Sequence, residues 1–123
     1  MKIPENLKYT DHDEWVRIEG DTIVVGITDF AQDQLGEIVH VELPSVGKKV
    51  DHGKVVCEVE SVKAVAEIYA PVAGEVVEVN EALEDAAEQI NSDPYGAWIY
   101  KLKVSGTPTG LLDPAAYKAK IGS

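Results

Sequence analysis

The sequence predicts a mostly β fold, a flattened barrel or sandwich made of two quasi-symmetric halves. Three observations predict it: short segments of alternating apolar and polar residues, a weak internal repeat, and helix-capping signals at only two places. Of the 123 residues, 45% are hydrophobic and 27% are charged, a composition typical of a packed globular domain. We therefore expect a single domain over residues 1–123 that needs no disulfide or structural metal.

The first two predicted strands form an N-terminal hairpin. Residues 14–19 and 22–27 alternate between apolar and polar side chains, and Gly20-Asp21 supplies a tight turn between them. Further strands are predicted, in chain order, at residues 37–43, 55–60, 65–69, 75–79 and 97–104.

Two helices are predicted from their capping residues. Thr28 is suited to cap a short helix near residues 28–35, and Gly36 is suited to end it. Near the C-terminus, Asp113-Pro114 reads as an N-cap followed by proline in the first turn, which predicts a last helix to about Ile121.

An internal repeat organises the middle of the chain. Residues 36–41 (GEIVHV) resemble residues 74–79 (GEVVEV), and residues 53–59 have the same pattern as residues 96–102. Each half would contribute a strand, a long connection and a second strand, which predicts approximate two-fold symmetry. Gene duplication and chance similarity among valine-rich strands would both explain the repeat.

The hairpin that joins the halves has an unusual tip, residues 60–64 (ESVKA). It contains no glycine or asparagine to adopt a positive φ, so a type I turn is expected. A β-branched Val62 is locally unfavourable there, and Lys63 has no evident core or capping role. Residues that are locally unfavourable at an exposed turn indicate a function, although a turn lysine kept for solubility is the simpler alternative.

The charge balance excludes some classes of partner. The net charge is −11, from 11 basic and 22 acidic residues, so phosphate backbones and anionic lipid should be repelled. Nucleic acid and membranes are therefore not expected as partners. The same charge suits a soluble monomer that makes transient contacts with other proteins, and it would also serve solubility alone.

No residues in the sequence form a recognisable catalytic or metal-binding motif. Cys57 is the sole cysteine and lies in an apolar strand, so neither a disulfide nor a catalytic thiol is expected. His12, His40 and His52 lack metal-ligand spacing, and His12 is interpreted as part of a polar loop. The lack of a signal-peptide pattern or membrane-spanning run predicts a cytoplasmic location.

The hairpin tip and its surroundings resemble the glycine cleavage H-protein family. The tip, followed by APVAGEV at residues 70–76, resembles the lipoyl-attachment hairpin, and biotin carriers differ in placing methionine on both sides of the lysine. Lipoyl domains of 2-oxo acid dehydrogenases are shorter and lack the N-terminal hairpin and both helices. The resemblance extends from Leu7 to Tyr117 through LKYT, EWV, GITDFAQ, LGEIV, VELP and INSDPYG, followed by Trp98.

This resemblance implies a lipoyl-domain-like fold and a carrier rather than an enzyme. Lipoate would be amide-linked to Lys63 by a lipoate ligase or an octanoyl/lipoyl transferase. Glycine decarboxylase would load an aminomethyl group, aminomethyltransferase would pass its carbon to tetrahydrofolate, and dihydrolipoamide dehydrogenase would reoxidise the thiols. The protein itself would present and protect the arm.

The family also holds its loaded arm in a surface cleft. The positions in this chain that match the cleft are Glu14, Gln34 and Glu67. Some members of the family have a histidine where this chain has Gln34, which can form hydrogen bonds but cannot titrate. For each carboxylate taken singly, an ordinary surface role is the alternative.

Two other functions stay open at this point. An H-like relay that donates lipoate to other acceptor domains would use the same hairpin, although Glu14 and Glu67 favour glycine cleavage. The second alternative is that the chain is an unmodified all-β interaction module or a small enzyme, in which Lys63 is an ordinary lysine.

Overall fold

The computed structural model describes residues 1–105 and 108–122 and arranges their strands in two sheets. The six-stranded sheet has the order β1 (Lys8–Tyr9), β2 (Glu14–Glu19), β3 (Thr22–Ile27), β9 (Tyr100–Val104), β8 (Gly74–Val79), β5 (Lys49–Val50). The three-stranded sheet has the order β4 (Ile38–Glu42), β6 (Val55–Ser61), β7 (Val65–Tyr69). Neighbouring strands are antiparallel throughout.

The sheets pack against each other and do not close into a barrel within the described residues. One hydrophobic cluster contains buried side chains from both, including Ile23 and Leu102 from the larger sheet and Val41, Val59 and Ile68 from the smaller one. The predicted mostly β class is confirmed, and of its two forms the sandwich is the one adopted.

The two capped helices form as their capping residues predict. Helix α1 (Asp29–Leu35) begins at Thr28, whose hydroxyl accepts from Ala31 N at 3.2 Å, and ends at Gly36 with φ of 81°. The C-terminal helix α4 (Pro114–Ile121) begins at Asp113, whose side chain accepts from the backbone N–H of Ala116 at 2.8 Å. A positive φ at Gly36 turns the chain sharply toward β4.

The structure also contains short elements that the sequence pattern did not predict. They are β1, β5, α2 (Ala82–Asp85) and α3 (Gln89–Ser92). A strand of two residues or a helix of one turn is too short to show a periodic pattern of hydrophobic residues. The cost of helix nucleation also means that helices this short do not form without tertiary packing. Leu83 and Ile90, one from each short helix, are fully buried and supply that packing.

The internal repeat appears in the structure as matching irregularities. Strand β4 bulges between Ile38 and His40 against β6, and β8 bulges between Val76 and Glu78 against β9. These are equivalent positions in the two repeated segments. When the two repeated segments are aligned, the pairing of β4 with β6 is shifted by two residues from the pairing of β8 with β9. A shift of two residues leaves each side chain on the same face of its sheet. The predicted quasi-symmetry therefore extends to the bulges.

A second cluster fastens the N-terminal hairpin to the C-terminal helix. The rings of Tyr9 and Tyr117 are stacked with centroids 4.7 Å apart, and the Tyr117 hydroxyl lies 2.7 Å from Thr28 Oγ1. Trp15 is fully buried and its indole Nε1 donates to the carbonyl of Pro94 at 3.0 Å. This cluster fixes the position of β2, which carries Glu14.

Gly26 is required for the packing of Trp15. The two residues are cross-strand partners, and a Cβ on Gly26 would lie 2.6 Å from the indole Cε2 and Nε1 atoms. We expect Gly26→Ala to lower the free energy of unfolding by about 2 kcal/mol, measured by urea denaturation, because the indole must shift in a closed core. In a Trp15→Leu background the same substitution should cost much less, and equal costs in both backgrounds would contradict this explanation.

Among the described residues, no helix is both long and apolar enough to pass through a membrane.

Candidate functional site

The hairpin tip between β6 and β7 is held by Ser61. The Ser61 hydroxyl oxygen accepts from the backbone N–H groups of Ala64 at 3.0 Å and of Lys63 at 3.3 Å. Across the turn, the backbone N–H of Ser61 donates to the Ala64 carbonyl at 2.8 Å. None of residues 61–64 has a positive φ, as expected for the predicted class of turn. The buried Ser61 side chain thus stabilises the turn by accepting from two of its backbone N–H groups.

Lys63 projects from this turn and is exposed. A Cβ on Gly36 would lie 3.6 Å from Cε of Lys63, so the lysine stem passes the end of helix α1. Val62 and Val65 on either side of the tip are 67% and 57% exposed, although both are apolar. None of the ion pairs within residues 1–105 and 108–122 involves Lys63. Its amine is therefore available for covalent modification.

Glu14 is a buried carboxylate at the start of β2. It is 0% exposed, and its Oε1 accepts from the Thr10 hydroxyl at 2.8 Å while its Oε2 accepts from the backbone N–H of Tyr69 at 2.7 Å. Burial raises the pKa of Glu14 to about 7, against the opposing effect of these two hydrogen bonds. A carboxyl group held in this state ionises readily when a cation arrives beside it.

Glu14 lies at a pocket of about 190 Å³ between the N-terminal hairpin and the strand that leaves the lysine hairpin. The lining residues are Thr10, Asp11, His12, Glu14, His52, Gly53, Ala70, Pro71, Gly110 and Leu111. The pocket is large enough for a small polar group, and Glu14 is the buried acid within it.

Glu67 is not among the residues that line this pocket, but it is connected to Glu14 through Tyr69. The Tyr69 hydroxyl donates to Glu67 Oε1 at 3.3 Å, while the backbone N–H of the same tyrosine donates to Glu14. The ring of Tyr69 packs against that of His12, with centroids 4.2 Å apart and ring planes tilted by 33°. The structure therefore links two of the three predicted cleft residues, Glu14 and Glu67, through one residue, Tyr69, whose backbone contacts the first and whose hydroxyl contacts the second.

Gln34 is not a hydrogen-bond partner of either carboxylate among the described residues. It is exposed on α1, two residues before Gly36, and it is not among the residues that line the pocket of Glu14. Its position places it on the helix whose end the Lys63 stem passes. The predicted role of Gln34 in the cleft therefore stays a prediction.

Sequence reasoning missed three residues of the site: Thr10, His12 and Tyr69. Thr10 and Tyr69 contact Glu14 from separate parts of the chain, and no local pattern signals either contact. His12 was interpreted as part of a polar loop. The one available signal was its position two residues before Glu14.

Other chemistry is limited within the described residues. They contain no group of three His, Cys, Asp or Glu side chains placed to hold a metal ion. Burial raises the pKa of the Cys57 thiol to about 12, which keeps it protonated at neutral pH. Cys57 is accordingly a small core residue rather than a nucleophile.

The outer face of the three-stranded sheet is acidic. Glu42, Glu58 and Glu67 are direct cross-strand neighbours, and Glu60 is next to them toward the tip. Like charges placed opposite each other destabilise a sheet slightly, so stability does not explain this arrangement.

Comparison with known proteins identifies the family. The model for the family described as glycine cleavage H-protein matches residues 7–122. The probable glycine cleavage system H protein of Thermococcus gammatolerans is 56% identical over 99% of this chain and 94% of its own length. That of Pyrococcus furiosus is 62% identical over 94% of this chain and 90% of its own length.

A bacterial relative and a solved structure agree with the archaeal ones. The glycine cleavage system H protein of Burkholderia cenocepacia is 55% identical over 97% of both chains. The crystal structure of the H protein from Mycobacterium marinum superposes with a TM-score of 0.91 at 40% identity, over 98% of this chain and 100% of that one. The resemblance inferred from sequence is thus confirmed, and the chain belongs to the glycine cleavage H-protein family, the lipoyl carriers of the glycine cleavage system.

Proposed function

We propose that Lys63 is the lipoyl attachment residue and that this chain carries the aminomethyl group between enzymes of the glycine cleavage system. The observation that supports this most directly is an exposed lysine on a side-chain-locked turn, beside the strand that leads to a buried acid. An exposed primary amine is the group that an amide with lipoate requires. The residues present therefore fit the cofactor.

When attached, lipoate supplies a disulfide that opens as the aminomethyl group is taken up and is re-formed by later oxidation. The chain's own residues present that cofactor. Ser61 holds the turn rigid, so Lys63 starts from a defined position while its side chain provides the reach. The exposed side chains of Val62 and Val65 form a small apolar surface at the base of the arm. Exposed apolar groups of this kind are typical of surfaces that contact partner proteins.

Glu14 is proposed to hold the cationic amine of the cargo. Each of its oxygens accepts one hydrogen bond, so further lone pairs remain for an ammonium group. Glu67 is four residues beyond Lys63, about 13 Å along an extended strand. It is proposed to lie between the base of the arm and Glu14. An ammonium beside Glu14 would offset the cost of burying its charge.

The partners proposed are glycine decarboxylase, aminomethyltransferase, dihydrolipoamide dehydrogenase and the enzyme that attaches lipoate. The acidic outer face around Glu58 supports contacts with basic surfaces on such proteins, because complementary charge speeds transient association. The chain would act as a monomeric, non-catalytic carrier in the cytoplasm, and all reaction steps would be performed by its partners.

Intact mass with peptide mapping tests the attachment directly. Protein produced with lipoate and a lipoate ligase should show a single lipoyl increment, on the peptide that contains Lys63. The lipoylated protein should then support glycine–bicarbonate exchange by glycine decarboxylase. An increment without exchange would favour a lipoyl relay, and the absence of an increment, with a known acceptor modified in parallel, would overturn the attachment.

A further inference from the structure

Two contacts of the lysine tip outside its own hairpin fall on residues 36–38, the segment that joins α1 to β4. The backbone N–H of Val62 donates to the Glu37 carbonyl at 3.0 Å. The stem of Lys63 passes Gly36, where a Cβ would lie 3.6 Å from the lysine Cε. The place from which Lys63 leaves the protein therefore depends on what fixes this segment.

The pairing of β4 with β6 does not fix the segment by itself. Ile38 pairs with Ser61, but the register shifts between Ile38 and His40, so a bulge separates this pair from the rest of the ladder. Gly36 has φ of 81° and ψ of −152°, a conformation that essentially only glycine adopts. Glycine is also the most flexible residue, so the segment needs a further support to keep one orientation.

Asn91, on α3, supplies that support through its side chain. Its Nδ2 donates to the Gly36 carbonyl at 2.8 Å and to Gln32 Oε1 at 2.9 Å. Its Oδ1 accepts from the backbone N–H of Ile38 at 2.9 Å. Asn91 is half-buried, so these hydrogen bonds are partly shielded from competition by water. The side chain thus joins α3 to α1, to the turn at Gly36 and to the first residue of β4.

One peptide group connects Asn91 with the tip. The carbonyl of Glu37 and the N–H of Ile38 belong to the same planar peptide group. Its N–H donates to Asn91, and its carbonyl accepts from the backbone N–H of Val62. Because the group is planar, holding its N–H also fixes the direction of its carbonyl. Polarisation along such a chain of hydrogen bonds strengthens each of them.

We propose that Asn91 is a positioning residue of the lysine tip: through the Glu37–Ile38 peptide group it fixes the Val62 N–H, and so the place from which Lys63 meets the enzyme that attaches lipoate. The inference rests on the proposed attachment at Lys63. Asn91 acts through the backbone and has no part in forming the amide. It presents a tip that is already ordered, so the attaching enzyme does not have to order the tip on binding.

The first test uses the unmodified chain and compares two amides of the same turn by saturation-transfer NMR. The Val62 N–H donates to Glu37, outside the hairpin, whereas the Ser61 N–H donates to the Ala64 carbonyl, inside it. We expect Asn91→Ala to speed exchange of the Val62 N–H with water about tenfold and to leave that of Ser61 unchanged. A general loss of stability would speed both amides, so the pair separates positioning from stability.

The matched control is Asn80→Ala. Asn80 is half-buried like Asn91, and its Nδ2 donates to a distant backbone carbonyl, that of Trp98, at 2.8 Å. Each variant is measured at the same interval below its own unfolding midpoint, and Asn80→Ala should leave both tip amides unchanged. Should Asn91→Ala be too unstable to assay, Asn91→Asp takes its place. It keeps the acceptor for Ile38 but loses both Nδ2 donors, and exchange at Val62 should be about threefold faster than in the parent.

The second test measures lipoylation of the same variants by a lipoate ligase at saturating lipoate and ATP. Asn91→Ala should lower kcat/KM for the protein substrate about fivefold, through a higher KM, because the ligase must then order the tip as it binds. Asn80→Ala should match the parent. An unchanged exchange rate at Val62, an equal rise at Ser61, or an unchanged kcat/KM in Asn91→Ala would overturn the proposal. If the parent itself is not lipoylated, the proposed function fails, and the exchange test still decides whether Asn91 holds the tip.

Discussion

Lys63→Arg is expected to abolish lipoyl attachment and every carrier activity that depends on it, while the fold is retained. Arginine keeps the positive charge but lacks the primary amine that forms the amide. The side chain is exposed and makes no ion pair within the described residues, so the free energy of unfolding should change by less than about 0.5 kcal/mol. Intact mass, glycine–bicarbonate exchange and urea denaturation measure the three expectations.

The matched control is Lys54→Arg, an exposed lysine just before β6, at the opposite end of the same hairpin from the tip. This variant should take up one lipoyl group and support exchange as the parent does. A lipoyl increment on Lys63→Arg would show that attachment occurs elsewhere. A large loss of stability in Lys63→Arg would contradict the exposed position of the tip.

The strands and helices that sequence predicted are those with strong local signals. Thr28 and Gly36 bound α1 as predicted, because capping depends on hydrogen bonds within one turn. The repeat was visible because residues at equivalent positions face the same environment, as Ile38 and Val76 do in the two sheets. Elements of two to four residues were missed, since their existence depends on distant packing.

The candidate site divides in the same way. The position of Lys63 was predictable because an exposed lysine at an unusual turn is a local feature. The state of Glu14 was not, because its partners Thr10 and Tyr69 come together only in the fold, and Tyr69 is 55 residues away in sequence. The alternation of β2 placed Glu14 on a strand, but no pattern could show that its carboxylate is buried. Burial gives the ionised carboxylate its energetic cost, and the proposed role of Glu14 depends on that cost.

Glu14→Gln is expected to remove a large pH dependence of stability. In the folded chain burial raises the pKa of Glu14 from the ordinary 4.5 to about 7. As the pH rises between these values, the unfolded chain releases this proton while the folded chain keeps it. Stability due to this group is therefore complete below pH 4.5 and is lost as the pH rises to about 7, by roughly 3 kcal/mol. Glutamine does not titrate, so the variant should gain on the parent by that amount between pH 4.5 and pH 8.

Urea denaturation across this range measures the difference, with Glu5→Gln as the control for loss of an exposed carboxyl. A difference between Glu14→Gln and the parent that stays constant with pH would show that burial does not raise the pKa of Glu14. The same cost supports the proposed role of Glu14, because an ammonium beside the carboxylate would stabilise the ionised form that burial disfavours. Glutamine has no negative charge for an ammonium to stabilise. The loaded Glu14→Gln protein should therefore lose its cargo to water roughly tenfold faster than the loaded parent, or more, as expected for loss of a charge-assisted hydrogen bond. The cost of ionising Glu14 in the unloaded chain and the retention of the loaded group would then have one physical origin, the burial of a carboxylate whose charge a cation offsets.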